Sequence, residues 1–183
     1  MAHDLHHIMA LLERTPGALD ELLRGLPMEW TDGNEGPDTW SPREVVAHLV
    51  HADRTEWIAH MFEHGESKPL PIFNREGGKE NIEGKTMADL LDEFAATRAE
   101  SLNKLRALEL THEHMKISGV HGVLGKITLS QLLATWAAHD VTHLHQITRI
   151  WGNHLRHEVG PFARFLGVTQ CNARSEDAAG KPR

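Results

Sequence analysis

The most constraining feature of the sequence is a pair of histidines inside a long helical pattern in its C-terminal third. Apolar residues recur there at the spacing of one buried helix face: Leu129, Leu132, Trp136, Ile147 and Ile150. His139 and His143 fall within this face, four residues apart, so their imidazoles lie one turn apart on the same side of the helix. A buried polar group without a partner costs roughly 1–3 kcal/mol, and one metal ion shared by both rings would satisfy both.

This spacing alone leaves two interpretations open. Two core histidines that hydrogen-bond to neighbouring side chains would give the same pattern as a metal-binding pair. Asp140 between them also has two interpretations. It can accept a hydrogen bond from an imidazole N–H, as metal-bound histidines usually require, or it can form an ordinary ion pair.

The composition indicates one globular domain that works in the cytoplasm. The 183 residues are 40% hydrophobic and 25% charged, and no apolar run approaches the ~20 residues that cross a bilayer. The N-terminus lacks the pattern of a signal peptide. The formal net charge of -7 disfavours nucleic-acid binding, and the single cysteine, Cys171, excludes a disulfide framework and a CxxC metal site. We predict one domain over residues 1–170, a polar tail over residues 171–183, and neither a nucleic acid nor a membrane as partner.

Helical patterns account for most of the chain. The predicted helices cover residues 5–23, 42–63, 86–110 and 128–151, with a short fifth segment over residues 158–166. Pro16 and Gly17 predict a kink or a break in the first helix, and Ser41 with Glu44 forms a capping-box pattern at the start of the second. Strand alternation is scarce and the connections are long. The predicted fold is therefore all-α, a four-helix bundle with long inter-helix connections and a short C-terminal helix.

A third metal ligand is expected from another helix that faces the same core. The second predicted helix offers His48 and His51, and His48 lies closer to its apolar stripe. His48, His139 and His143 together would leave at least one coordination position open, as in catalytic zinc sites. The same ligand set accepts nickel, cobalt or iron, so the identity of the metal stays open. Such a site can activate a water molecule or a thiol, or polarise a carbonyl.

Two acidic residues of the second predicted helix have several possible roles. Glu56 falls on its apolar stripe, and an interhelical salt bridge is favoured over a role as a base or as a partner of a metal ligand. Asp53 is predicted to lie at the surface or in a dimer contact.

Taken together, the motifs resemble those of the DinB-like (DinB/YfiT) superfamily. The matching segments are WSPREVVAHL (residues 40–49), DRTEW (residues 53–57), HDVTHLHQI within residues 129–150, and the stretches 13–27 and 159–162. The similarity covers nearly the whole chain. One departure is Asp53, because close members are expected to carry Glu there.

The resemblance implies a four-helix bundle, usually dimeric, with one metal held by three histidines. His48 matches the ligand on the second helix, and His139 and His143 match the pair on the last helix. Characterised relatives include metal-dependent thiol S-transferases and isomerases that use low-molecular-weight thiols such as bacillithiol or mycothiol. We therefore expect a homodimeric, metal-dependent enzyme of thiol S-transferase or hydrolase type, with zinc or nickel bound, that acts on a small electrophile. The alternative is a non-catalytic metal- or ligand-binding module.

Overall fold

The computed structural model describes residues 5–171, which form a four-helix bundle. The helices in chain order are α1 (Leu5–Leu12), α2 (Thr15–Leu23), α3 (Met28–Thr31), α4 (Pro42–Asp53), α5 (Trp57–His64), α6 (Met87–Ala107), α7 (Leu129–Leu155) and α8 (Gly167–Gln170). The pair α1 and α2 fills one position of the bundle, and the pair α4 and α5 fills a second. The continuous helices α6 and α7 fill the other two.

Contacts between these helices place the paired elements against the continuous ones. α1 packs on α7 and α2 packs on α6, while α4 and α5 each contact both α6 and α7. The prediction of an all-α four-helix bundle is confirmed. Among the described residues, no helix combines the length and the apolar character needed to cross a membrane. The predicted polar tail lies outside the described residues, apart from Cys171.

Three of the bundle helices begin at capping boxes that are visible in the sequence. Ser41, Thr86 and Thr128 each accept a hydrogen bond from the backbone N–H three residues later, and the side chain of that later residue bonds back to the cap. Each box satisfies two N–H groups that the helix itself leaves without partners. The starts of α4, α6 and α7 therefore follow from local sequence chemistry.

The prediction of a continuous second helix over residues 42–63 is wrong. α4 ends at Asp53, where the Thr55 hydroxyl donates to the backbone oxygen of Ala52 at 2.9 Å. Glu56 then adopts a left-handed conformation, with φ of 50°, and α5 begins at Trp57. A side chain that bonds to the backbone in this way competes with helix continuation.

Two connections also differ from the prediction. Residues predicted as an irregular link between α6 and α7 contain an antiparallel hairpin, in which β1 (Ser118–His121) pairs with β2 (Gly125–Thr128). The imidazole Nδ1 of His121 accepts from two backbone N–H groups of the turn, which closes the hairpin without an alternating apolar pattern. The predicted fifth helical segment is a 3₁₀ helix, Gly160–Phe165, followed by α8.

The hydrophobic core has two halves, with a polar layer between them. Leu19, Val46 and Phe94 lie in the half that packs α2 and α4 against the start of α6. Leu12 and Met61 lie in the half that packs α1 and α5 against the end of α6. α7 contributes to both halves. The breaks after α1 and α4 occur at the level where the two halves meet, and the polar groups described below lie there.

Candidate metal centre

Three histidine side chains from two helices converge in the polar layer. His48 projects from α4, and His139 and His143 lie one turn apart on α7. The Nε2 atom of His139 lies 3.0 Å from Nε2 of His48 and 3.1 Å from Nε2 of His143. His48 and His143 are 4% and 6% exposed, and His139 is partly buried. We call these three side chains the histidine cluster.

The spacing within the histidine cluster suits a single metal ion. Nitrogens bound to tetrahedral zinc at 2.0–2.1 Å lie about 3.3 Å apart, so the observed separations of 3.0 and 3.1 Å require only small shifts. All three ligand atoms lie within 4.8 Å of one another. Within residues 5–171, this is the one group of three or more His, Cys, Asp or Glu side chains with such a geometry.

His51, the other histidine considered on this helix, lies outside the cluster. Its ring centroid is 5.3 Å from that of Phe73, and a Cβ at Gly77 would lie 2.4 Å from its Cε1. The ring is therefore packed under the segment that follows α5. Of the two histidines on α4, the geometry brings His48 to the α7 pair.

Gln146 orients one ring of the cluster. Its Oε1 lies 2.9 Å from Nδ1 of His143, one turn further along α7, and both side chains are buried. When Nδ1 carries the proton and donates to this oxygen, the Nε2 lone pair faces the centre of the cluster. The sequence alone indicated no role for Gln146, although a residue three positions after His143 lies on the same helix face.

Burial keeps the three imidazoles neutral near neutral pH. It lowers the pKa of His48 to about 3 and the pKa values of His139 and His143 to about 4. The neighbouring histidines lower the pKa of His48 and His143 further, and the charge of Arg98 adds to the lowering for His139. Neutral imidazoles present lone pairs, so a metal ion would not have to displace protons at pH 7.

Two aromatic rings and a glycine-rich segment cover His48. The Trp40 ring centroid lies 4.6 Å from that of His48, and Phe73 meets it edge-on at 5.5 Å. The 3₁₀ helix Arg75–Asn81 lies directly on α4. A Cβ at Gly78 would lie 2.8 Å from the Cα of His48, so only a glycine fits this contact without a shift. The long connection between α5 and α6 therefore forms one wall of the centre.

A buried arginine ties the helices together beside the cluster. Arg98 of α6 donates to both carboxylate oxygens of Asp53, at 2.6 and 3.0 Å, and to both of Asp140, at 2.5 and 2.9 Å. It also donates to the backbone oxygen of Leu12, at 3.0 Å. These five bonds use all five N–H donors of a guanidinium. The side chains of Arg98, Asp53 and Asp140 are each 1% exposed. We call them the arginine clamp.

The contacts of the arginine clamp show where Asp53 lies and which of the two interpretations of Asp140 holds. Asp53 is not at the surface as predicted, because it pairs with Arg98 and also accepts from Nε1 of Trp136 at 2.9 Å. Asp140 forms the interhelical ion pair with Arg98. Burial raises the pKa of Asp53 while the bonds from Arg98 oppose that rise. Burial also opposes ionisation of Arg98, but its bonds to Asp140 and Asp53 raise its pKa.

Sequence reasoning missed Arg98, although a signal for it existed. Phe94, Arg98 and Leu102 follow one another at four-residue steps on the apolar face of α6. A cation in the middle of a buried stripe must have buried anionic partners. The position of Arg98 therefore indicated that a buried anionic partner must exist, although not which carboxylate it would be.

Comparison with known proteins identifies the family. The family model described as the DinB superfamily matches residues 11–147, well over half of the chain.

This chain belongs to the DinB superfamily.

Among solved structures, YfiT from Bacillus subtilis resembles this DinB-superfamily chain with a TM-score of 0.66 and 18% sequence identity. The match covers 89% of this chain and 87% of YfiT, which is described as a probable metal-dependent hydrolase with an unusual four-helix bundle topology. At this identity, the likeness shows a shared fold. No curated protein matches the sequence.

In this DinB-superfamily protein, a cleft of ≈ 200 Å³ opens beside His139. α5, α6 and α7 form its walls, and His139 is the member of the histidine cluster that lines it. Glu56 lies at its edge, where its carboxylate pairs with the ammonium of Lys104 at 2.7 Å. The preference for a salt bridge at Glu56 agrees with this contact, but Glu56 precedes α5 rather than occupying a buried stripe.

The chemistry available to the centre follows from these contacts. The histidine cluster offers three neutral nitrogen donors, and the adjacent cleft offers room for a small molecule. Asp140 follows His139 in the chain, but both of its oxygens accept from Arg98. It is therefore a structural anion in this arrangement rather than a free base.

Proposed function

We propose that this DinB-superfamily protein binds one divalent metal ion through His48, His139 and His143 and hydrolyses a small substrate held beside His139. The observation that carries the proposal is the convergence of three neutral Nε2 atoms from α4 and α7 at separations of 3.0 and 3.1 Å. The fold shared with YfiT, described as a probable metal-dependent hydrolase, supports it.

The donor set fits the proposed ion. Three imidazole ligands are typical of catalytic zinc centres, in which a fourth position is left for water or substrate. When bound, such an ion lowers the pKa of a water molecule and polarises a carbonyl or a similar acceptor. Zinc and nickel are the candidates we test first, since imidazole suits both.

The chain's own residues would prepare the reaction in three ways. Gln146 holds His143 in one orientation, and the arginine clamp holds α4 against α7. The cleft positions the substrate next to His139. In hydrolysis the oxygen of water bonds to the acceptor carbon, the bond to the leaving nitrogen or oxygen breaks, and one proton passes to the leaving atom.

Metal analysis of tag-free protein tests the ligand assignment. We expect one metal equivalent per chain in the wild type, and loss of stoichiometric metal in His48→Ala and His143→Ala. The matched controls are His51→Ala on α4 and His145→Ala, an exposed position on α7, and both should keep the metal. Undiminished metal in His143→Ala would reject the assignment.

Activity assays then separate catalysis from simple binding. A panel of amide, ester and lactone substrates tests hydrolysis, and transfer of low-molecular-weight thiols to small electrophiles tests the S-transferase alternative. Removing the metal with a chelator should abolish activity and leave far-ultraviolet circular dichroism unchanged. Loss of the fold on chelation, with no activity in the metal-loaded protein, would favour a non-catalytic module.

A further inference from the structure

Resting on the proposed function, we infer that the cleft beside His139 is a binding site for an apolar group about the size of one substituted aromatic ring. The substrate would then be a small aromatic or branched aliphatic compound whose hydrolysable bond lies at the histidine cluster.

The walls of the cleft are apolar. Six of its large lining side chains are apolar or aromatic and come from four parts of the chain: Trp57, Phe73, Leu105, Leu108, Leu132 and Trp136. Aromatic and aliphatic walls of this kind bind ligands mainly by removing apolar surface from water. A strongly hydrated substrate would lose water here and gain little in return.

Polar side chains on these walls already have internal partners. The hydroxyls of Thr55, Ser101 and Thr135 donate to backbone oxygens at 2.9, 3.0 and 2.8 Å. The Nε1 atom of Trp136 donates to Asp53 at 2.9 Å. The donors are thus committed within the protein, and a phosphate or carboxylate placed against these walls would find none of them free.

The charged groups at the rim also pair with each other. Lys104 contacts Glu56 at 2.7 Å and Glu100 at 2.9 Å, and these side chains are 53%, 59% and 67% exposed. An ammonium between two carboxylates does not offer a net positive charge to an anionic substrate. The rim therefore selects for neither a phosphate nor a carboxylate, and recognition depends on the apolar walls.

The size and the position of the cleft suit one aromatic ring beside the histidine cluster. Engineered apolar cavities of roughly 150 Å³ bind benzene, so a cleft of ≈ 200 Å³ has room for one ring and a short chain. His139 belongs to both the cleft and the histidine cluster. A ring seated in the cleft would therefore lie next to one member of the cluster.

Two metal-binding probes that share a head group test this inference. Acetohydroxamic acid and phenylacetohydroxamic acid both chelate metal, but only the second carries a ring. We would titrate zinc-loaded protein with each hydroxamic acid and measure the change in tryptophan fluorescence or the heat of binding. We expect the phenyl compound to bind at least tenfold more tightly. Equal affinities would overturn the inference, even if zinc binds stoichiometrically and the proposed function stands.

A matched pair of variants places the preference in the cleft. Ala59 on α5 is exposed and lines the cleft, whereas Ala96 on α6 is exposed and lies outside its lining. Ala59→Phe should fill the cleft and reduce the preference for the phenyl compound to less than twofold. Ala96→Phe should keep it. A preference that survives Ala59→Phe would overturn the assignment.

A metal-independent measurement separates the two proposals. We would follow 4-fluorotoluene, which does not chelate, by fluorine NMR in the presence of metal-free protein. Line broadening with the wild type and Ala96→Phe, but not with Ala59→Phe, would support the cleft even if metal binding failed. No broadening with the wild type would overturn the cleft independently of the metal result.

Discussion

Replacing Arg98 with methionine tests whether the arginine clamp holds the bundle together. Methionine keeps much of the apolar stem but removes all five N–H donors and the charge. Asp53 and Asp140 would then be buried, at 1% side-chain exposure, with their main partner gone. Removing one partner of a buried ion pair costs about 3–5 kcal/mol. We expect a loss of that size, a large fraction of a typical domain's stability.

The assay is chemical denaturation of metal-free protein at pH 7, followed by circular dichroism at 222 nm. Arg54→Met is the matched control, because Arg54 pairs with Glu93 at 2.6 Å while 51% of its side chain is exposed. Exposed pairs contribute about 0–1 kcal/mol. If the free energies of unfolding of the two variants differ by less than about 1 kcal/mol, the reasoning about the clamp is refuted.

The pH dependence of the Arg98→Met variant checks the cause of the loss. Without Arg98, burial should raise the pKa of Asp53 beyond its already raised value. A carboxyl whose pKa is higher in the folded state destabilises the fold above that pKa, and protonation relieves the cost as pH falls. The deficit relative to wild type should therefore shrink between pH 7 and pH 5. Adding Asp53→Asn and Asp140→Asn to the variant should recover part of the stability at pH 7, and no recovery would contradict a charge-based cause.

Four further predictions concern the centre and the assembly. Metal-free protein should lose stability as pH falls below about 6.5, because the histidines of the unfolded chain bind protons there while the folded histidine cluster, with pKa values of about 3 to 4, does not. The free energy of unfolding from urea titrations should be lower at pH 5 than at pH 7 by about 2 kcal/mol for each cluster histidine. Equal free energies at the two pH values would contradict this. Gln146→Leu should weaken metal binding about 10–100-fold in a chelator competition, whereas the exposed His145→Leu should leave the affinity unchanged. Gly78→Ala should lower the free energy of unfolding by about 1–3 kcal/mol, because the added Cβ would lie 2.8 Å from the Cα of His48. The control Gly17→Ala should change it by less than about 1 kcal/mol, because a Cβ there has no neighbour within 4 Å. Light scattering should give twice the 20.5 kDa chain mass for the homodimer implied by the family resemblance, and the mass of one chain would contradict it.

Local patterns predicted the bundle well because each long helix carries its own signals. The apolar spacing of α6 and α7 marks their buried faces, and Thr86 and Thr128 mark their starts. Pro16 correctly indicated the break in the first helix. The spacing of His139 and His143, on a stripe that should have been apolar, was enough to indicate where the polar layer would be.

The break between α4 and α5 was missed partly because a distant side chain stabilises it together with the local bond from Thr55. Ser101 on α6 donates to the backbone oxygen of Asp53, the last residue of α4. In the same way, Arg98 satisfies the backbone oxygen of Leu12, the last residue of α1. Carbonyls at helix ends need partners from outside the helix. The sequence around a helix end does not show a partner that is 48 or 86 residues away along the chain.

The residues that cover the histidine cluster were the hardest to predict from the sequence. Trp40, Phe73 and Gly78 lie in connections, where no periodicity shows which side chains face inward. Their contacts with His48 depend on how the connection between α5 and α6 folds back over α4. The two histidines of α7 were predictable from their own helix, whereas the covering wall required the complete fold.

The interruption at residues 54–56 has one more consequence. It separates α4, which carries His48, from α5, which lines the cleft with Trp57, Ile58 and Ala59 but holds none of the three imidazoles. Side chains of α5 could be exchanged, one position at a time, to admit molecules of another shape without displacing a single cluster nitrogen. This division suits laboratory redesign, because the lining of the cleft can be varied on one short helix while the histidine cluster is left unchanged.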